Sequence, residues 1–264
     1  MKNKILLFAC ISILTYSHIS PLTAQTLKPQ VIASAGGYQS NATASLSFTI
    51  GEPNTQTLTS ANYRLTQGFQ QPYKMTLNLR AFLQGYYTNG GMMENVLYNQ
   101  GITALPGTQC DTISIQLRQP LPPFAVVSET KQIIQTNGLV TYTGSGTIGQ
   151  SYYIIIKHRN TIETWSANPV TLTENTSYDF TTAPNKAFGN NMTEMEANKW
   201  ALFSGDVNQD ENTDLLDLSI LETDINDFQF GYFATDINGD GNADLLDNPL
   251  LEANTNNFIF SVHP

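Results

Sequence analysis

Cysteine is nearly absent from this chain: there are two in 264 residues, Cys10 and Cys110. Cys10 falls in MKNKILLFACISILTYSHISPLTAQ, where Lys2 and Lys4 precede a short apolar run and small residues stand near Ala24. That is the layout of a secretory leader, read as residues 1–24 with cleavage near Ala24 or Gln25. Its removal leaves one cysteine, which excludes an internal disulfide framework. Cys110 heads the alternating run DTISIQLRQ, so a packed strand thiol is expected there and not a nucleophile. Long apolar runs are missing too. The leader's core is broken by Ser12, Tyr16, Ser17 and His18, and no later stretch is long enough to span a bilayer. The mature chain is expected to be secreted or held at the cell surface, and not membrane-spanning.

Charge is sparse, at 13% of residues, and basic charge is missing altogether from the last quarter. Residues 201–264 hold 13 Asp and Glu and no Lys or Arg, whereas residues 25–200 carry 10 basic and 9 acidic side chains. Such a tail excludes nucleic acid as a partner and favours cations. No nucleophile elbow, phosphate loop or HExxH occurs. Asp111, Glu129, Glu163, Glu174, Asp179, Glu194 and Glu196 sit in no hydrolase motif and read as solvated loop or strand-face acids. Lys157, His158 and Arg159 near Trp165, in KHRNTIETW, suit a sugar- or acid-binding patch. The simpler reading, a solvated strand end beside a core Trp, is preferred.

Residues 25–74 are rich in Thr, Ser, Gln and Asn, with short strands expected around Leu46–Ile50 and Tyr63–Gly68 and a joint at Gln70–Pro72. This segment, with its GEP and LTQGFQQP, resembles one that recurs in secreted proteins of the Bacteroidota. From residue 75 to 182 a period of two is clear. Ile113, Ile115 and Leu117 share one strand face, and Leu77, Leu79, Ala81 and Leu83 share another. SYYIIIKHRN is apolar on both faces until Lys157, as a central strand is. With FAVVSE, LVTYTG, PVTLTE and SYDFTT there are some seven short strands and no long helical period. The expected fold is mainly β: an antiparallel, Ig-like β-sandwich over 75–182, then a linker over 183–200.

Residues 206–230 and 236–260 match at 13 of 25 positions, sharing D-x-N-x-D-x-N-x-D-L-L-D and then Leu-Glu. Calcium takes about six to eight oxygens, which a twelve-residue loop supplies from positions 1, 3, 5, 7, 9 and 12. In the first copy these positions are Asp206, Asn208, Asp210, Asn212, Asp214 and Asp217. In the second they are Asp236, Asn238, Asp240, Asn242, Asp244 and Asp247. Two Ca²⁺ ions are therefore expected. Each loop leads into an apolar, helix-length run, with Asp214 placed to cap the first helix while Asp217 turns back to the metal.

Loop then helix, twice, resembles the duplicated F-hand of dockerin modules, in which Asp also stands at position 12. The resemblance covers residues 201–264 and implies a small α-helical module that docks onto a cohesin. Three departures stand out. Position 6 is Gly241 in the second copy but Glu211 in the first, which predicts a strained, weaker first site. Pro249 lies within the second exit run, predicting a late or irregular helix. Loop positions 10 and 11, polar in clostridial dockerins, are Leu215, Leu216, Leu245 and Leu246, and no basic residue follows. These leucines, with Leu221 and Leu251, are expected to be buried between the two helices. The expected function is a non-catalytic calcium-binding surface or assembly protein, with a cohesin-like or other surface protein as partner. The alternative is an enzyme or accessory protein of a polysaccharide-degrading system, attached through the same module. The tail is expected to be disordered without metal, the sandwich to be indifferent to it, and residues 75–200 to fold alone.

Overall fold

The computed structural model describes residues 35–40, 45–50, 57–59 and 64–66, then 75–105 and 107–264. The leader read over 1–24 lies outside them. The chain divides into two compact units, Met1–Pro72 and Tyr73–Pro264. In the first unit β1 (Ala35–Ser40) pairs antiparallel with β2 (Ser45–Ile50), and β3 (Thr57–Thr59) with β4 (Arg64–Thr66).

The second unit is mainly β. One sheet runs in the order β10 (Thr161–Trp165), β9 (Ser151–His158), β6 (Gln109–Arg118), β7 (Val126–Gln135), with β11 (Val170–Thr171) also on β9, all antiparallel. The other runs β12 (Asn175–Asp179), β5 (Thr76–Arg80), β8 (Leu139–Tyr142). The β12–β5 pair is parallel, which corrects the purely antiparallel expectation. Alternation decides what goes inside. Leu77 and Leu79 from β5, Val140 and Tyr142 from β8, Ile113, Ile115 and Leu117 from β6, and Ile154 and Ile156 from β9 fill one core between the sheets. The opposite face of β9 is covered as well: Tyr153 and Ile155 pack with Trp165 under Phe124 and Phe188. Apolar residues on both faces of β9 follow from that.

Two boundaries differ from expectation. Residues 183–200 form no linker: Ala187 and Met192 are in the core, and β13 (Thr193–Glu196) pairs with β14 (Lys199–Ala201). Nor does the sandwich stop at residue 200. Ala201 and Leu202 are fully buried in the same core, Leu202 N–H donates to the Phe82 carbonyl at 2.8 Å, and the Ile162 amide donates to the Phe203 carbonyl at 3.1 Å. A chain ending at residue 200 lacks these contacts, and residues 75–200 are expected to be less stable alone than a chain that continues through residue 203.

There are three α-helices among the described residues: α1 (Val96–Asn99), α2 (Leu215–Asn226) and α3 (Asn248–Asn256). Asp214 and Asp217 start α2 by a reciprocal capping box. In the second copy Pro249 fits only the first turn, where no N–H partner is needed, so α3 begins at Asn248 and the residues just before it form a turn. α2 and α3 pack around Val207, Leu221, Ile237 and Leu251. Leu218 and Leu250 pack against this cluster half-buried, but the leucines at loop positions 10 and 11 do not join it. Leu215, Leu216, Leu245 and Leu246 are exposed at 70%, 61%, 72% and 68%, against the expectation that they are buried. They stand at the outer start of each exit run, and only the positions one and two turns further reach the partner helix. Among the described residues no helix is long and apolar enough to cross a membrane.

Candidate metal loops and their seat on the sandwich

The two acidic loops fold alike, because each short side chain closes a turn on the amides that follow it. Asp206 Oδ1 accepts from Asp210 N–H at 3.1 Å and its Oδ2 from Glu211 N–H at 3.2 Å. Asp217 Oδ1 accepts from the Val207 and Asn208 amides, at 2.8 and 3.1 Å, and its Oδ2 from Asp214 N–H at 2.9 Å. In the second copy Asp236 accepts from the Asp240 and Gly241 amides at 3.1 and 2.9 Å. Asp247 accepts from the Ile237, Asn238 and Asp244 amides at 2.7 to 2.9 Å. Asn208 and Asn238, with Asp210 and Asp240, close the inner turns in the same manner. Asp214 and Asp244 accept from the Leu216 and Leu246 amides, both at 2.7 Å. Positions 1 and 12 are buried in both copies, while Asp210, Asn212, Asp240 and Asn242 are exposed.

These residues suit a hard cation. Each loop presents carboxylate, amide and carbonyl oxygens, and the 64-residue tail has no Lys or Arg to neutralise them. Among the described residues no three Asp, Glu, His or Cys side chains stand together as a complete metal set. An ion in either loop would need the Asn and backbone oxygens too, which the calcium pattern of positions supplies and a zinc site does not use.

The acids are held without a counter-charge inside the loops. Burial, with Asp217 beside it, pushes the Asp206 carboxyl up to about 7. Burial, with Asp236 nearby, does the same to Asp247, up to about 7. Burial also raises Asp217 and Asp236. A carboxyl whose pKa is higher in the folded chain binds its proton more tightly there, so metal-free stability falls as pH rises from about 4 to about 7. Thermal melts in chelator are expected to have higher midpoints near pH 5 than near pH 7.5. Saturating Ca²⁺, which needs the ionised forms, should abolish that order. Melts at the two pH values, with and without the metal, check both statements.

The loops differ in their seats. The backbone is left-handed at Gln209 (φ 61°) and Glu211 (φ 74°) in the first, and at Gly239 (φ 80°) and Gly241 (φ 96°) in the second. Two side chains in the region that favours glycine strain the first loop. Both side chains find partners there: Gln209 Nε2 donates to the Asp206 carbonyl at 2.7 Å, and Glu211 reaches His263 at 3.4 Å. The second loop has a further reason for glycine. A Cβ at Gly241 would lie 2.5 Å from the Asn99 carbonyl oxygen, and one at Gly239 would lie 2.6 Å from Val96 Cγ2. Loop two is pressed onto α1, whose Asn99 donates from Nδ2 to the Gly239 carbonyl at 2.9 Å.

Beneath it lies a buried polar network that periodicity did not disclose. A register shift in β6 between Gln109 and Asp111 leaves Cys110 and Asp111 both fully buried. Cys110 packs in the core, and burial raises its thiol well above the ordinary value. Asp111 is therefore not the solvated acid expected. Its Oδ2 meets His158 Nε2 at 3.1 Å and Arg159 Nε at 3.0 Å, and its Oδ1 accepts from Tyr232 Oη at 2.8 Å. Burial opposes its ionisation, but His158 and Arg159 hold it below the usual carboxylate range. The His158 ring is fully enclosed, and burial lowers its pKa. With Nδ1 accepting from the Asn160 amide, Nε2 carries the proton and donates it to Asp111. Arg159 Nη2 donates to Tyr86 Oη and, at 3.0 Å, to Gln100 Oε1. Glu163, another acid read as solvated, is buried between Lys157 at 2.7 Å and Arg118 at 3.5 Å, with Trp165 Nε1 donating to it. The KHR strand end is thus structural, and Trp165 is a core residue.

No protein-family model matches the chain, and no curated protein sequence matches it. Solved structures similar to the chain include two complexes. One is a C-terminal interface mutant of a type II Cohesin-X-Dockerin complex from Acetivibrio cellulolyticus, at a TM-score of 0.42 and 14% identity, covering 69% of this chain and 95% of that one. The other is an N-terminal interface mutant of such a complex from the same organism, at 0.41 and 13%, covering 70% and 97%. A likeness this loose assigns neither partner nor activity to this chain.

Proposed function

We propose that this chain is a secreted, non-catalytic assembly protein whose C-terminal repeat, residues 201–264, is a dockerin-like module folded around two Ca²⁺ ions. The observation that carries the reading is the matching construction of the two loops at positions 1 and 12, whose acids accept from the corresponding amides in each copy, with no Lys or Arg among them. In this reading Asp206, Asn208, Asp210 and Asp217 hold one ion and Asp236, Asn238, Asp240 and Asp247 the other. Asn212 and Asn242 contribute backbone carbonyls, and Asp214, which caps α2, and Asp244, which closes the turn before α3, act through water. Four exposed leucines, two per copy at matching positions, give each copy an apolar spot for a protein partner. A cohesin-like or other surface protein fits that chemistry better than a sugar does. The polysaccharide-enzyme alternative draws no support from Asp111 and Glu163, which are locked in buried ion pairs.

Calorimetric titration of the full chain is expected to show two Ca²⁺ sites, with the second loop tighter. Glu211→Gly is expected to relieve the left-handed strain and tighten the first site several-fold, the effect of about 1 kcal/mol of backbone strain. Zero sites would remove the reading. An unchanged first site in Glu211→Gly would remove its explanation of the asymmetry.

A further inference from the structure

The second loop's first acid is gripped from outside the loop. Gln100, which follows α1 and is buried, donates from Nε2 to Asp236 Oδ2. The Asp236 backbone carbonyl accepts from Asn160 Nδ2 at 3.2 Å and Tyr86 Oη at 3.5 Å. Gln100 is itself oriented: its Oε1 accepts from Arg159 Nη2 at 3.0 Å, and Arg159 is anchored on Asp111. The amide cannot flip without placing its NH₂ against the guanidinium, so Arg159 fixes which end meets Asp236. The first loop is held differently. The Asp206 carboxylate accepts from the Asp210 and Glu211 amides, both within its own loop, and the sandwich meets that loop at the Thr161 carbonyl through Gln209 Nε2, at 3.4 Å.

Resting on the calcium reading above, we propose that Gln100 is a positioning residue for the second site, with Arg159 acting through it. The β-sandwich thereby sets the affinity of one loop and not of the other. Asp236 also accepts from the Gly239, Asp240 and Gly241 amides of its own loop, so Gln100 is the side-chain partner that the sandwich adds. Loss of such an orienting partner of a metal-ligating carboxylate costs about 10- to 100-fold in affinity. Because Gln100 is neutral, it orients Asp236 without cancelling the charge the ion needs. Arg159 in direct contact would cancel it. The guanidinium is kept one residue back, and the amide relays its polarisation.

The test uses the full chain with one loop disabled at a time, titrated with Ca²⁺ by calorimetry. In an Asp206→Ala background, which leaves the second loop, Gln100→Ala is expected to weaken binding about tenfold. In an Asp236→Ala background, which leaves the first loop, it is expected to change nothing. Gln100→Met, close in size but without a donor, repeats the measurement should the alanine variant fold poorly, and cooperative melting in excess Ca²⁺ verifies the fold. Equal weakening in both backgrounds overturns the proposal, because it marks a general loss of stability. An undiminished second site in Gln100→Met also overturns it while leaving the calcium reading intact. An unmodified chain that binds no Ca²⁺ removes both.

Discussion

Asp111→Ala is expected to cost about 3–5 kcal/mol of stability, the range found when one partner of a buried ion pair is removed. The substitution strands Arg159, most of whose side chain is buried, and takes the acceptor from His158 and Tyr232 together. It also loosens the strand end that carries Asn160, and Asn160 holds Asp236. For a unit of this size each kcal/mol moves the melting midpoint by about 2–4 °C, so a fall of about 6–20 °C is expected. Glu129 provides the contrast. It lies on the exposed face of β7 with Ser114 Oγ donating to it, and Glu129→Ala should stay within about 0.5 kcal/mol. Chemical denaturation of both variants measures the difference. A cost below about 1 kcal/mol for Asp111→Ala would mean that the network is not what fixes this end of the sandwich. Asp111 is ionised in the fold well below the usual range, so its contribution should persist until pH falls under about 4.

The sandwich was legible wherever one rule governed a stretch. Period-two alternation placed Ile113, Ile115 and Leu117 inside, and the two-sided apolar run from Tyr152 to Ile156 is the covered central strand that it resembles. The repeat was legible because its oxygens recur at fixed positions, and Pro249 foretold the late start of α3. What failed had no periodic signature. Asp111 is turned inward by an irregularity in β6 pairing, and no pattern of types marks where a strand will bulge. Gln100 gains its meaning only from a loop 136 residues away, and Gly85 lies against the Ile237 carbonyl for the same reason. The leucines at loop positions 10 and 11 were assigned to the helix interface on hydrophobicity alone. Helix geometry sends only one residue per exit run, Leu221 and Leu251, fully into it. The boundary at residue 200 followed a shift in composition, whereas the core continues through Leu202.

Calcium is expected to stabilise the whole of residues 73–264, against the expectation that the sandwich would be indifferent. The reason is structural: Gly239 and Gly241 bring loop two against α1, and Asn254 Nδ2 donates to Gln84 Oε1 at 2.8 Å and to the Ser204 carbonyl at 2.6 Å. The C-terminal end adds a strap, Ser261 Oγ donating to the Glu163 carbonyl at 2.5 Å. Extracellular calcium modules bind at about 10⁻⁴ to 10⁻³ M. At about 10 mM Ca²⁺ each site then contributes about 1.4–2.7 kcal/mol by mass action, and two contribute about 3–5. The midpoint should rise by about 6–20 °C. Substituting Asp206 and Asp236 together by Ala should remove that rise.

Melting followed at two places in the same chain tests most directly whether the repeat and the sandwich are one calcium-dependent unit. Both tryptophans, Trp165 and Trp200, belong to the sandwich, whereas α2 and α3 belong to the repeat. Tryptophan fluorescence therefore reports the first and ellipticity at the helix band the second. The expected result is one coincident transition by both probes, at lower temperature in chelator and shifted upward together in Ca²⁺. A helix signal that responds to Ca²⁺ while the tryptophan midpoint stays where it was in chelator would contradict it.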